Sequence, residues 1–497
     1  MKLKRNIRLI LNIRLIIRIY GFIVLLTGIA MLPAVAAAFI YGENTIGKAF
    51  LFTSIFAVLV SALTILFVKP HNHYLRTRDG FFIVGFGWIL VCLVGCIPYL
   101  ASGYTASFCS AFFESAAGFT TTGATVFNLE NTPKAFLLWK AVSHWLGGMG
   151  ILVFTVSLLP TFGAGSHKIF KAEIPSLKMD KIVSKISDSA KILYLMYIGF
   201  TILQFVLLSF SNMNTFDAIV CTLGCISTAG LSSHTAGLAF FNSIYVESVV
   251  AVFTILASIN FSMYALVAKR NFKEIFCDIE LRTFLSIIAV GTVLVSASLY
   301  FSGTIDSASQ ALRYAFFQVT SFSSTTGYTL ADYSSWPSFC LILFFILMLI
   351  GGCAFSTSGS VKVIRVIVIF KLAIRSIYRR IHPRAVIAVK LGGKPVSAEV
   401  ASQVTSFALA FLTVLLFGTL FLSLQGFDFI TNLSAALSML SNTGIAFGEV
   451  GPAGNFSMFA EPLQLVLALL MIIGRLEIFT LLVLMTPSFW RPDKAAD

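Results

Sequence analysis

Apolar residues run in stretches about as long as a bilayer-spanning helix, separated by short polar segments. Ten such stretches predict helical spans at 19–41, 46–68, 81–101, 135–159, 190–210, 243–267, 282–302, 336–382, 399–424 and 461–486. The eighth is one long segment with an interruption. Between spans three and four, five and six, seven and eight, and nine and ten lies a moderately apolar stretch of about 12–18 residues, too short to cross. Each ends in a small polar tetrapeptide closing on glycine, which predicts four re-entrant segments. Their helices are predicted to begin at Thr105 or Ser107, Asp217, Ser307 and Asp428, residue types that cap helix N-termini.

The four tetrapeptides align as one motif: Thr120-Thr121-Thr122-Gly123, Ser227-Thr228-Ala229-Gly230, Ser324-Thr325-Thr326-Gly327 and Ser441-Asn442-Thr443-Gly444. Each lies in a unit of span, short helix, turn and span. The chain therefore divides into an N-terminal basic segment with two extra spans (1–78) and four repeats, at 79–168, 169–273, 274–394 and 395–497. The predicted fold is an all-α polytopic membrane protein of about ten transmembrane helices, with four re-entrant pore loops in fourfold pseudosymmetric repeats.

Composition supports that class. Of 497 residues, 58% are hydrophobic and 11% charged, where a soluble domain carries roughly 25% charged. The 49 Phe exclude a disordered chain. The net charge of +14 does not gather on one nucleic-acid-binding surface. It falls in blocks between spans: Lys69, Arg76 and Arg78; Lys168, Lys171, Lys178, Lys181 and Lys185; Lys269, Arg270 and Lys273; Arg379, Arg380, Arg384, Lys390 and Lys394. The gaps that hold re-entrant segments carry Glu130, Asp217, Asp306, Asp332, Asp428 and Glu449 instead. By the positive-inside rule both termini and the basic loops face the cytoplasm, and the re-entrant segments enter from outside. The eight Cys lie mostly within apolar runs and form no CxxC pair, which predicts small buried hydrophobes rather than disulfides or metal ligands.

Backbone that leaves helical form inside a membrane must line water or be buried in protein. Four such turns on one axis present rings of carbonyl oxygens that replace the hydration shell of a monovalent cation. Glycine permits the positive φ such a turn needs. The helix before each turn aims its negative end at the ion path.

The motifs resemble the TrkH/TrkG/KtrB superfamily of potassium-uptake proteins, the TrkH branch above all because of the two extra N-terminal spans. Further matching text is Phe113-Glu114-Ser115, Gly118-Phe119, Ala124-Thr125, His144-Trp145-Leu146-Gly147-Gly148-Met149-Gly150, Ala172-Glu173, Ile259-Asn260-Phe261, Gly351-Gly352-Cys353-Ala354, Ser356-Thr357-Ser358-Gly359, His382-Pro383 and Gly474-Arg475-Leu476-Glu477-Ile478-Phe479-Thr480. The resemblance implies a potassium-uptake translocation subunit in the cell inner membrane, with K+ as transported ion and no cofactor. It also implies a homodimer and a cytosolic nucleotide-binding regulatory subunit of the TrkA type. Glycine at all four filter positions implies potassium preference. The loop after Gly351 departs from the family pattern at Phe355 and Ser360, where glycine is usual.

Residues Gly351, Gly352, Ser356, Thr357, Ser358, Gly359 and Ser360 make poor helix sequence, which predicts an intramembrane gating loop; close helix packing through small residues is the alternative. Arg475 lies mid-span, where an arginine faces a cavity or a partner. Glu477 is two residues away and off its helix face, which favours a pore-facing barrier over a structural ion pair. Glu114 is read as a brace behind the filter and His144 as a packing residue. Asp332 and Glu449 either concentrate cations at the mouth or are solvated loop charges. The alternative function is a secondary active symporter coupling K+ to H+ or Na+, which would call for paired inverted halves. An enzyme would need clustered His, Asp or Glu, or a nucleotide motif, and neither stands out.

Overall fold

The structure, a computed structural model, describes residues 11–70, 75–150, 186–268, 270, 272–385, 387–452 and 454–491. The loop lysines from Lys168 to Lys185, Lys269 and the Ala172-Glu173 segment lie outside the described residues.

The chain begins with α1 (Ile13–Ala30), α2 (Leu32–Ile40) and α3 (Asn44–Phe67). The span expected at 19–41 starts earlier and breaks at Met31, because Pro33 opens a new helix and cannot donate into the old one. The first repeat holds α4 (Thr77–Ala101), α5 (Phe108–Phe119) and α6 (Lys134–Gly148). Asp79 fixes the start of α4: buried, it accepts the Arg76 amide at 2.7 Å and the Asn12 amide at 2.9 Å, tying α4 to the entry of α1. The second repeat holds α7 (Ile186–Ser209), α8 (Thr215–Ile226), α9 (Ile244–Ser258) and α10 (Phe261–Ala268), followed by the short α11 (Phe272–Phe276). The third holds α12 (Ile279–Phe301), α13 (Ala308–Ser323), α14 (Ser338–Ile350) and α15 (Val363–Ile381). The fourth holds α16 (Ala398–Leu422), α17 (Phe429–Ser441), α18 (Glu461–Arg475) and α19 (Phe479–Met485). One hairpin interrupts the helical pattern: β1 (Lys390–Leu391) pairs antiparallel with β2 (Lys394–Pro395). Its turn residues Gly392 and Gly393 both have positive φ, as a two-residue hairpin loop requires.

Among the described residues five helical segments are long and apolar enough to cross a membrane, or six if the bent pair α18–α19 counts as one. Four of the expected spans are not one continuous helix within the described residues: α6 ends at Gly148, with residues 151–159 of its expected span outside the described residues, α9 gives way to α10 at Ile259-Asn260, α14 to α15 across residues 351–362, and α18 turns into α19 by 111°. Only the third of these breaks was expected. Apolar Phe and Leu side chains on α3, α7, α12 and α16 remain exposed on the outside of the bundle, as a lipid-facing surface would have them.

Among the described residues no cysteine is in a disulfide; six are buried, Cys109 is half-buried and Cys277 exposed.

Candidate functional site: four turns and the helix breaks beside them

The four short helices α5, α8, α13 and α17 end at the four tetrapeptides. Their starts follow local capping chemistry. The Ser107 side chain accepts the Ser110 amide and the Asp428 side chain the Thr431 amide, as expected. Ser307 holds the N-cap position of α13 without a side-chain cap bond. For α8 the cap is Asn214 and not Asp217. Asp217 sits three residues in, its amide donating to Asn214 Oδ1 at 2.8 Å while its carboxylate accepts Asn214 Nδ2 at 2.7 Å. The Asn side chain takes the capping role and leaves the Asp as its reciprocal partner.

At the other end, the turn amides bond back into the helix. The Thr122 amide reaches the Ala117 carbonyl at 3.0 Å, Ala229 reaches Gly224 at 2.8 Å, Thr326 reaches Ser321 at 3.0 Å and Thr443 reaches Ser438 at 2.9 Å. With their amides turned inward, these residues direct their carbonyls away from the helix. Positive φ occurs at Gly123, Gly230, Gly327 and Gly444, and also at Thr121, Thr228, Thr325 and Asn442. Left-handed residues thus occupy the second and fourth places of each turn. The glycines were legible in sequence; the threonines were not, since a β-branched residue rarely adopts positive φ.

The four turns pack against one another in a closed ring. A side chain at Gly123 would collide with the Ala229 carbonyl oxygen, at Gly230 with that of Thr326, at Gly327 with that of Thr443, and at Gly444 with that of Thr122. Each glycine therefore lies on the third residue of the next turn, and the fourth turn returns to the first. Hydroxyl pairs stiffen three turns: Thr120 with Thr122 at 2.8 Å, Ser324 with Thr326 at 2.7 Å and Ser441 with Thr443 at 2.7 Å. Ala229 removes that pair from the second turn, where Ser227 Oγ donates to the Leu223 carbonyl instead. Asn442 bridges turns by donating to Thr122 Oγ1 at 3.0 Å and to the Met471 carbonyl at 2.9 Å.

The interrupted eighth span lies against this ring. The Gly359 amide donates to Thr325 Oγ1 at 2.9 Å, and a side chain at Gly359 would collide with the Ser441 carbonyl. Phe355, Ser360 and Lys362 hold positive φ, as does Gly351. The loop is pinned along its length. Cys353 donates its amide to the Ser258 carbonyl at 3.0 Å, Thr357 Oγ1 donates to Ala257 at 3.1 Å, and the Phe355 carbonyl accepts the Phe261 amide at 3.1 Å. Ser360 Oγ bonds the Met348 and Leu349 carbonyls, and Ser356 Oγ that of Cys353. The Gly352 and Ser358 side-chain positions face each other closely.

Arg475 spans the breaks. Its guanidinium donates to the Thr357 carbonyl at 2.8 Å and to the Gly147 and Gly148 carbonyls at 2.5 and 2.7 Å. It thereby joins the fourth repeat to the first and third. Glu477 is committed elsewhere: it pairs with Lys362 at 2.7 Å and with Arg365. A cavity of about 80 Å³ adjoins the ring here. All four breaks line it: Gly148, Met149 and Gly150; Phe261; Phe355, Ser356, Ser358, Gly359, Ser360 and Lys362; Gly474, Arg475 and Glu477.

The family model TrkH, described as a cation transport protein, matches residues 46–491. The chain belongs to the TrkH family. It is 35% identical to the Trk system potassium uptake protein TrkH of Salmonella typhimurium over 479 residues, which is 95% of this chain and 98% of that protein. It is 32% identical to the Trk system potassium uptake protein TrkG of Escherichia coli, over 95% of this chain and 97% of that one. The crystal structure of the potassium transporter TrkH from Vibrio parahaemolyticus superposes with a TM-score of 0.87 at 33% identity, covering 96% of this chain and all of that one.

In this TrkH-family chain, several buried polar pairings escaped sequence reasoning because the partners are distant in sequence. Lys140 pairs with Glu114 at 2.5 Å. Glu280 accepts the Ala354 amide at 2.7 Å. Lys362, Arg365 and Glu477 form a buried triad. His144 Nδ1 meets the Gly118 carbonyl at 2.7 Å, holding the end of α5. Asp332 caps a short turn at Ser334 and Glu449 is exposed in the loop after the fourth turn.

Proposed function

We propose that the chain is a potassium-uptake translocation subunit of the cell inner membrane, and that the ring of four turns is its ion filter. The supporting observation is the cyclic contact of Gly123, Gly230, Gly327 and Gly444, each on a carbonyl of the next turn. Four backbone segments held at that spacing, with their amides engaged behind them, offer stacked carbonyl oxygens to a dehydrated cation. The filter residues are Thr120 to Gly123, Ser227 to Gly230, Ser324 to Gly327 and Ser441 to Gly444. The relatives, Trk system potassium uptake proteins, support K+ as the cargo. The four repeats run in parallel, which favours a channel-like path over paired inverted halves.

In this reading the loop from Gly351 to Ser360 and the guanidinium of Arg475 form the gate. The loop crosses under two filter turns, and the fixed positive charge beside the cavity raises a barrier to a cation. Opening requires the loop to leave the Thr325 and Arg475 contacts. Family membership further supports a homodimer with both termini cytoplasmic, and a TrkA-type nucleotide-binding regulatory subunit acting on the cytoplasmic face. The test is expression in a bacterial host stripped of its own potassium uptake. Growth at limiting K+ should be restored, and Rb+ uptake should depend on this chain. Restored Na+ uptake without Rb+ uptake would overturn the assignment.

A further inference from the structure

We propose that the buried Glu114–Lys140 pair is a positioning element that sets the first turn for ion selection; this rests on the filter reading above. Glu114 is 2% exposed and Lys140 3%. Glu114 extends from α5, and Lys140 from α6, the helix that follows the first turn. Beyond their mutual contact of 2.5 Å, Lys140 Nζ donates to the Ala124 carbonyl at 2.7 Å. Ala124 follows Gly123 directly. The other carboxylate oxygen of Glu114 accepts the Val126 amide and the Thr125 hydroxyl, both at 2.6 Å. The pair thus holds three successive residues as the chain leaves the first turn.

Helix-to-helix cohesion alone does not account for this arrangement. A buried ion pair is poor value as a stabiliser, and apolar residues of similar volume often do as well or better. What an ammonium adds is a charge-assisted donor to a backbone carbonyl, shorter and stronger than a neutral one. The other turns receive a donor at nearly the same point, and there it is neutral. Tyr328 Oη shares its one hydrogen between the Cys221 carbonyl at 3.0 Å and the Leu231 carbonyl, one residue past Gly230, at 3.2 Å. Ser321 Oγ donates to the Tyr328 carbonyl, one residue past Gly327, at 2.7 Å. In the fourth turn Tyr333 Oη donates to Ala446, two residues past Gly444, at 2.9 Å. All four loops are pinned from behind where they leave the ring, and the first is pinned by a full charge. A loop held in this way keeps the adjoining carbonyls of the first turn from the inward movement that coordination of the smaller Na+ requires.

The test uses the full chain, purified and reconstituted into liposomes, as the parent and as Lys140→Met, Lys140→Arg, the double variant Glu114→Gln/Lys140→Met, and Gly123→Ala. Rb+ and Na+ fluxes are measured together with melting temperature. The double variant leaves no stranded charge, so it reads selectivity where Lys140→Met alone folds poorly. Expected is a fall of about tenfold in the Rb+/Na+ ratio for the double variant, the scale of one lost charge-assisted hydrogen bond. Lys140→Arg should keep most of the parent's ratio. A double variant that keeps the parent's ratio overturns the inference, whether or not its melting temperature drops. If Gly123→Ala shifts the ratio while the double variant does not, this inference alone fails. If neither shifts it, the filter reading fails as well.

Discussion

Arg475 Nη1 lies 2.8 Å from the carbonyl oxygen of Thr357, so a side chain from the last broken helix holds the loop that interrupts the eighth span. The same guanidinium reaches Gly147 and Gly148 at the end of α6. These three partners are backbone carbonyls on two different helix breaks, and the guanidinium lies beside the cavity that the breaks line.

Replacement of Arg475 follows from that geometry. Arg475→Ala removes the guanidinium beside the cavity and frees the loop at Thr357, so Rb+ flux per folded molecule should rise severalfold. It also removes hydrogen bonds from a charged donor, worth about 1.5–3 kcal/mol each, so the melting temperature should fall by a few degrees. Flux assays on reconstituted protein, normalised to folded fraction, check both. A destabilised variant with no gain in flux would refute the barrier.

Shortening the loop tests the gate without touching the arginine. Deleting Thr357, Ser358 and Gly359 removes the contact with Thr325 and one acceptor of Arg475, leaving those at Gly147 and Gly148. Basal flux should increase and depend less on any regulatory subunit. If the deleted protein elutes and conducts like the parent, the segment is a packing device.

The Glu477 triad makes a prediction about stability. Glu477 is buried between Lys362 and Arg365, and Arg365 also lies over the Phe407 ring at 4.1 Å. Glu477→Gln leaves two cations facing each other without their anion. Breaking a buried pair from one side costs about 3–5 kcal/mol, so expression and melting temperature should fall sharply. Lys362→Met keeps the Glu477–Arg365 pair and should cost far less. Thermal melts of the two variants decide it, and equal losses would contradict the assignment of Glu477 as the hub.

Sequence reading located the four glycine-ending turns, the helix interruption at Gly351-Gly352 and the mid-span Arg475, because each is a local signal. A tetrapeptide ending in glycine repeats four times, and Gly351-Gly352 weakens a helix wherever it occurs. The other breaks were less visible. At Ile259-Asn260 no glycine or proline marks the change, and past Gly474 the residues with positive φ are an acid and a β-branched apolar side chain, Glu477 and Ile478. Tertiary contacts hold them there: Glu477 through its two cations, and Phe261, just past the second break, through the Phe355 carbonyl. Lys140 and Glu114 were likewise separable only in sequence; folding brings α5 and α6 together and makes them one group. Asp217 looked like a cap because it is the acid nearest the start of α8, and Asn214 took the place one turn earlier.

The most direct measurement is the Rb+ to Na+ flux ratio of the purified protein in liposomes, for the parent and for Gly123→Ser, Gly230→Ser, Gly327→Ser and Gly444→Ser. Each substitution puts a side chain where the structure has a carbonyl of the neighbouring turn, at a backbone conformation that costs an L-residue roughly 1–2 kcal/mol. The account predicts a parent that favours Rb+ and a lowered ratio in the variants, Gly123→Ser included, while the protein remains folded. Four folded variants with the parent's ratio would contradict it.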